Sequence, residues 1–278
     1  MFQRLEKPRQ QSIFRYTFVV ALLFVTSLAA IAQEPASKEA VGDKLAEVVK
    51  LGEAIVESTT THPMSKEYVG NALNCTSCHL DNGRHEKAGT FLGTATAYPA
   101  WSPRENRVIT LEDRVLNCFM RSCNGIRPPL GSEVSVAVTA YIASLSQGQS
   151  LRMNSKRPVG PGAIKLLAVK PDQADIKRGA SLYASRCAEC HQEDGQGDQD
   201  NPPVWGERSY NDGAGLSSVE NLAAWMKVAM PLDETDLSDQ QALDIAAFVN
   251  SHKRPHFELR QHLPVKERLG EYNASQAK

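Results

Sequence analysis

Two pentapeptides, CTSCH at 75–79 and CAECH at 187–191, hold four of the six cysteines and two of the seven histidines. Cys-x-x-Cys-His is the attachment signature of a c-type haem. Two thiols add across the two vinyl groups of one macrocycle, and the next residue is placed to ligate its iron. Cys75 and Cys78 would therefore hold one haem with His79 as ligand, and Cys187 and Cys190 a second with His191. A thioredoxin-like pair or half a zinc site is the competing reading. It fails because the motif occurs twice, each time with His and each time after a helical pattern. The sequence thus calls for two covalently bound haem c groups.

Each iron has a further axial position. In the second half the candidate is Met230, in KVAMPLD, about forty residues beyond the motif and followed by Pro. His/Met ligation raises the potential of a haem. Met226 is its rival, on a stretch that reads as core-facing helix. The first half has no Met at the matching place, and Met120 is the weaker candidate there. It lies in NCFMRSCNG, 117–125, which also holds the remaining two cysteines. Thr110 with Asp113 three residues on reads as a helix start, and Asn124-Gly125 as its end. On such a helix Arg114, Cys118, Arg121 and Ser122 share a face, while Cys123 lies about 140° further round. Cys118 then reads as a thiolate ligand to the first haem, with arginines beside it to favour the thiolate, and Cys123 as a small apolar filler of the far face. A Cys118–Cys123 disulfide is the competing reading and would require the last turn to unwind. His62 or His85 could also take the place of Cys118 on iron.

The elements around these residues repeat one plan. Leu45, Val48, Val49, Gly52, Ile55 and Val56 recur at helical spacing before the first motif. Val134, Val138, Tyr141 and Leu145 form the face of a closing helix after it. The second half offers Ile176, Gly179, Ala180 and Tyr183 before its motif. Its closing helix carries Ala242, Ile245, Ala246 and Val249 and is opened by the capping pair Ser238 and Gln241. No segment has a convincing strand period. The expected fold is all-α: two class I cytochrome c-like domains, at 33–147 and 173–255, joined by an irregular linker at 148–172. A charged tail, 256–278, wraps back on one of the domains.

The N-terminus expects export. Arg4, Lys7, Arg9 and Arg15 precede an apolar run that ends in Ala30-Ile31-Ala32, the pattern of a secretory signal peptide over 1–32, cleaved near Ala32. An uncleaved anchor is the alternative. Past residue 32 the chain holds 27 Lys+Arg against 31 Asp+Glu. No basic surplus points to nucleic acid, and no later segment is apolar enough to span a bilayer. The expected location is periplasmic.

These segments resemble one family. YVGNALNCTSCHLDNG, TLEDRVLNCFMRSCNG and KVAMPL are similar to the first-haem, cysteine-ligand and methionine-loop segments of the diheme thiosulfate dehydrogenases, or tetrathionate synthases. The resemblance spans about residues 40 to 255. It implies a His/Cys-ligated first haem as the active site, with Cys118 as ligand and Arg104, Arg114 and Ser122 lining a pocket for thiosulfate. Two thiosulfates would be joined to tetrathionate, or the reverse, with a small c-type cytochrome or similar acceptor taking the electrons from the second haem. The chain departs from the family pattern at Cys123, where Met is usual, and at Ala229, where Asn is usual; Lys227 matches a family lysine near the second haem and reads equally as a surface lysine. Two other readings stay open: a diheme electron carrier with no substrate of its own, and an enzyme like the related sulfur-oxidation diheme subunits, which attach sulfane sulfur to a carrier protein.

Overall fold

The computed structural model describes residues 38–232 and 234–263. The expected signal peptide and its cleavage point lie outside them. The same crossing of two helices is built twice. In the first half α1 (Lys38–Glu57) packs against α3 (Glu133–Ser144); in the second, α4 (Ile176–Arg186) packs against α7 (Asp239–Asn250). Each crossing closes on a glycine of the earlier helix. A Cβ on Gly52 would lie 2.0 Å from the Ala137 carbonyl oxygen, and one on Gly179 would lie 2.1 Å from that of Asp244. No real Cβ tolerates such an approach, so the two backbones touch only because glycine stands at both places. Around the first crossing Ile55, Val56, Val134, Val138 and Tyr141 are buried, and around the second Ala242, Ile245, Ala246 and Val249. Leu45 and Ile176, expected on these faces, are 59% and 50% exposed because each stands before its helix reaches its partner.

Between these outer helices, each half inserts its own elements. The first carries a hairpin of β1 (Ala100–Ser102) and β2 (Arg107–Ile109), where the sequence shows no strand period. Three residues are too few to display an alternation. Next comes α2 (Leu111–Arg121), begun by Thr110, whose hydroxyl accepts the Asp113 amide at 3.1 Å. Asp113 also binds Arg107 (2.9 Å) and Arg127 (3.0 Å). Burial alone would raise its pKa, but the two guanidiniums outweigh burial and hold the carboxyl below the ordinary range. This network ties α2 to the hairpin before it and the loop after it. The second half has the short α5 (Ala188–His191) across its motif and α6 (Val219–Ala229) before α7.

The two halves pack as one body. Residues 148–170 run without helix or strand, and Gly160, Gly162, Ile164 and Leu166 of this stretch wall one side of a cavity in the first half. The tail is described as far as residue 263, and His262 in that part returns to the first half. Past Pro255 the tail forms α8 (Leu259–His262), where the His262 carbonyl accepts from the Arg127 amide and the His262 ring bonds the Gly125 carbonyl, both at 2.7 Å. Among the described residues no helix is long and apolar enough to cross a membrane.

Candidate haem and substrate sites

CTSCH is held as a tight turn by the end of α1. The Thr59 hydroxyl accepts the Cys75 amide at 2.9 Å, and the Asn74 side chain accepts from both the amide (2.8 Å) and the hydroxyl (2.9 Å) of Thr60. His79 stacks near Phe91, with centroids 4.3 Å apart, and its Nδ1 bonds the Gly89 carbonyl. A carbonyl can only accept, so Nδ1 carries the proton and Nε2 keeps its lone pair. His191 repeats this with the Pro202 carbonyl at 2.9 Å. Both histidines therefore present the tautomer an iron ligand needs. Burial drives the His79 pKa down to about 4, so the ring is neutral. Burial also pushes the Cys75 thiol up to about 11, Cys78 to about 12 and Cys187 to about 11. Such surroundings disfavour thiolate and suit neutral thioether sulfur. The donor sets fit two haem groups.

The first cavity has two parts, of about 200 and 330 Å³, which share Cys78, His79, Arg114, Cys118 and Ser122 as lining. Arg114 Nη1 lies 3.2 Å from the Cys118 sulfur, one helical turn away. The charge of Cys118 is the main cause raising the Arg114 pKa. Ser122 lies at the C-cap of α2. Arg104 does not line this cavity. It is exposed and donates from Nη1 to the Gly213 carbonyl at 3.2 Å. Partial desolvation, then the charges of Arg114 and Arg121, lowers its pKa, which puts it within reach of the cationic group. Arg121 is buried, meets Glu105 at 3.7 Å and Gly213 O at 3.3 Å, and stacks on Phe257.

Cys123 stands elsewhere than expected. It lines the cavity beside Cys118, not the far face of α2. The Cys118 carbonyl accepts from both Ser122 (2.8 Å) and Cys123 (3.0 Å), so the hydrogen-bond ladder slips from a four- to a five-residue step. That wider last turn brings residue 123 round toward residue 118. No disulfide joins them: both thiols are free, and burial raises that of Cys123. Met120 is fully buried without lining the cavity, and neither His62 nor His85 lines it.

The second cavity, about 370 Å³, is lined by Cys187, Cys190, His191, Met226, Met230 and Pro231, among others. Met230 is the C-cap of α6 and half-buried; Met226 is a buried helix residue. Lys227 points away, donating to the Leu237 carbonyl and meeting Asp239 at 3.6 Å.

Both halves of the chain match known cytochrome families. Residues 64–151 match the model for the SoxA/TsdA cytochrome c domain, and residues 174–249 the model described as cytochrome C oxidase, cbb3-type, subunit III. A thiosulfate dehydrogenase of Stutzerimonas stutzeri is 38% identical over 80% of this chain and 73% of its own length. The chain belongs to the thiosulfate dehydrogenase family. A second thiosulfate dehydrogenase, of Thiomonas intermedia, is 37% identical over 77% of this chain and 68% of its own. The solved thiosulfate dehydrogenase TsdBA of Marichromatium purpuratum superposes with a TM-score of 0.70 at 37% identity, covering 76% of this chain; this chain spans about half, 47%, of that one. Like its relatives in the thiosulfate dehydrogenase family, the chain comprises two cytochrome c domains, which carry two covalently bound haem c groups.

Three residues of this thiosulfate dehydrogenase family member escaped the reading of its sequence. Tyr98 is buried, lines the first cavity, and lies close enough to Arg114 and Cys118 for each to act on its hydroxyl. Asn211 and Gly213, from the second half, grip the end of α2: Asn211 Nδ2 donates to the Met120 carbonyl at 2.9 Å, and Gly213 O takes both Arg104 and Arg121. No motif marks any of them.

Proposed function

We propose that this chain oxidises two thiosulfate ions to tetrathionate in the periplasm, reversibly in principle. The two electrons released per S–S bond leave through the first domain, then the second, to an external c-type cytochrome. The observation that carries this reading is the Arg114–Cys118 contact inside the first cavity.

The haem groups, when bound, supply one one-electron acceptor per domain, enough to hold both electrons of one turnover. His79 and Cys118 are the residues to ligate the first, and His191 and Met230 the second. Two thiosulfate dianions about 5 Å apart repel by about 3 kcal/mol in water, and more in a drier cavity. Arg114 within the cavity and Arg104 near it offset that repulsion, and their planar forks suit the sulfonate oxygens. Ser122 adds a hydroxyl donor at the cavity wall. A terminal thiosulfate sulfur docked against these arginines would meet either the iron or the Cys118 sulfur. Cys118 serves either as ligand only or as a transient partner in sulfur exchange.

The purified diheme protein, given thiosulfate and ferricyanide, is expected to turn over without a carrier protein. Cys118→Gly is expected to keep both haems attached, change the spectrum of the first, and abolish thiosulfate oxidation. Full turnover by that variant would remove Cys118 from the mechanism. No turnover by the wild-type protein would leave the carrier and the partner-dependent enzyme.

A further inference from the structure

The two haem cavities share a wall. Leu73, Asn74 and Cys78 from the first half, and Leu216 and Trp225 from the second, line both. Trp225 is 8% exposed and donates its Nε1–H to the Cys78 carbonyl at 3.0 Å, across 147 residues of chain. That carbonyl belongs to the attachment motif of the first haem and is bonded directly to His79. Gly89, whose carbonyl holds the Nδ1 proton of His79, lies beside the same indole: a Cβ there would come 3.6 Å from Nε1. Met226, the next residue of α6, lines the second cavity without reaching the first.

We propose that Trp225 is the positioning residue that couples the two redox centres. It rests on the reading that electrons enter at the first centre and leave by the second. A buried indole N–H takes a partner, and here the partner fixes the ring against the other domain. Electron transfer through protein weakens more steeply across empty contacts than along bonded and hydrogen-bonded atoms. Cys78 itself reaches the wall of the second cavity; its peptide, the hydrogen bond and the indole add a bonded line from the first haem's attachment point to the part of that wall built by α6. No proton moves and no bond is exchanged. Each electron that leaves the first centre reduces the second, and the indole keeps its N–H.

The test uses the diheme protein as wild type, Trp225→Phe and Trp225→Leu. A flash-generated flavin reductant delivers one electron, and its redistribution between the centres is followed where their spectra differ. In Trp225→Leu the redistribution slows several-fold. In Trp225→Phe, which restores a ring without the N–H, the rate lies between Leu and wild type. Both midpoint potentials are measured on the same samples, so that a change in driving force is separated from a change in coupling. If Trp225→Leu loses haem, the Phe variant decides alone and must still be slower than wild type. Unchanged redistribution, or slowing accounted for by shifted potentials, overturns the proposal. Slowed redistribution in protein that thiosulfate never reduces would remove the thiosulfate reading and leave the bridge standing.

Discussion

The first cavity is cationic and sulfur-lined, whereas the second opens among acids. Arg114 and Cys118 face the first, with Arg104 close by. Around the second motif Glu189, Glu193, Asp194, Asp198 and Asp200 are all exposed, and Asp200 lines the cavity. Arg186, also in its lining, is paired with Asp236 at 2.5 Å. Yet the two are framed by the same helix crossing on the same glycine contact. The frame sets where a macrocycle attaches; what stands opposite it is set by the inserted segment. In the first half that segment is a hairpin and α2, which deliver a cysteine one turn from an arginine. In the second it is α6, which ends on a methionine.

The sharpest way to break this comparison is to take the charge from the first cavity. Arg114→Gln removes a hydrogen bond from a charged guanidinium to the Cys118 sulfur, of the class that contributes about 1.5–3 kcal/mol. The value of kcat/KM for thiosulfate is expected to fall about ten- to a hundredfold. The spectrum of the first haem shifts as Cys118 loses its donor, and that of the second does not. Equal effects on both haems would mean that Arg114 supports the fold and not the site.

The second cavity yields a smaller effect of a different kind. Met230→Leu removes the thioether, so the potential of the second haem drops. Electron delivery to an acceptor slows, while thiosulfate still reduces the first haem at the wild-type rate in stopped-flow measurements. Met226→Leu, a swap of similar volume in the same cavity, leaves the potential alone. A potential that follows Met226 and not Met230 would exchange their roles.

How far these two regions could be read from sequence depended on the distance over which each feature is encoded. The attachment motifs and the capping pairs Thr110/Asp113 and Ser238/Gln241 are local, and all were legible; Gly52 and Gly179 were legible as members of a helical face but not as the contact points of the two crossings. The position of Cys123 was not. A uniform helix sends it to the far face, and only the slipped hydrogen bond to the Cys118 carbonyl brings it into the cavity. The hairpin at 100–109 was too short to announce itself. The Gly213 carbonyl that collects Arg104 and Arg121 comes from the other half of the chain, 109 and 92 residues away. Contacts of that separation leave no local pattern. Arg104 accordingly carried its expected role by resemblance alone, and in the fold it lies outside the cavity wall.

The smallest effect tests the acid rim of the second cavity. Leu232, 61% exposed, lines that cavity, so an apolar point stands among the carboxylates. Such a field attracts a cationic acceptor and repels an anionic one. With thiosulfate held saturating, so that its own binding to the arginines does not limit the rate, the reduction of a lysine-rich small cytochrome should slow a few-fold between about 0.05 and 0.5 M salt, as the screening length shrinks. Reduction of ferricyanide, an anion, should hold steady or quicken over the same range. Asp200→Lys should flatten the first dependence without touching thiosulfate reduction of the first haem. If both acceptors respond to salt with the same sign, the rim plays no part in choosing the acceptor, and the contrast between the cavities ends at their ligands.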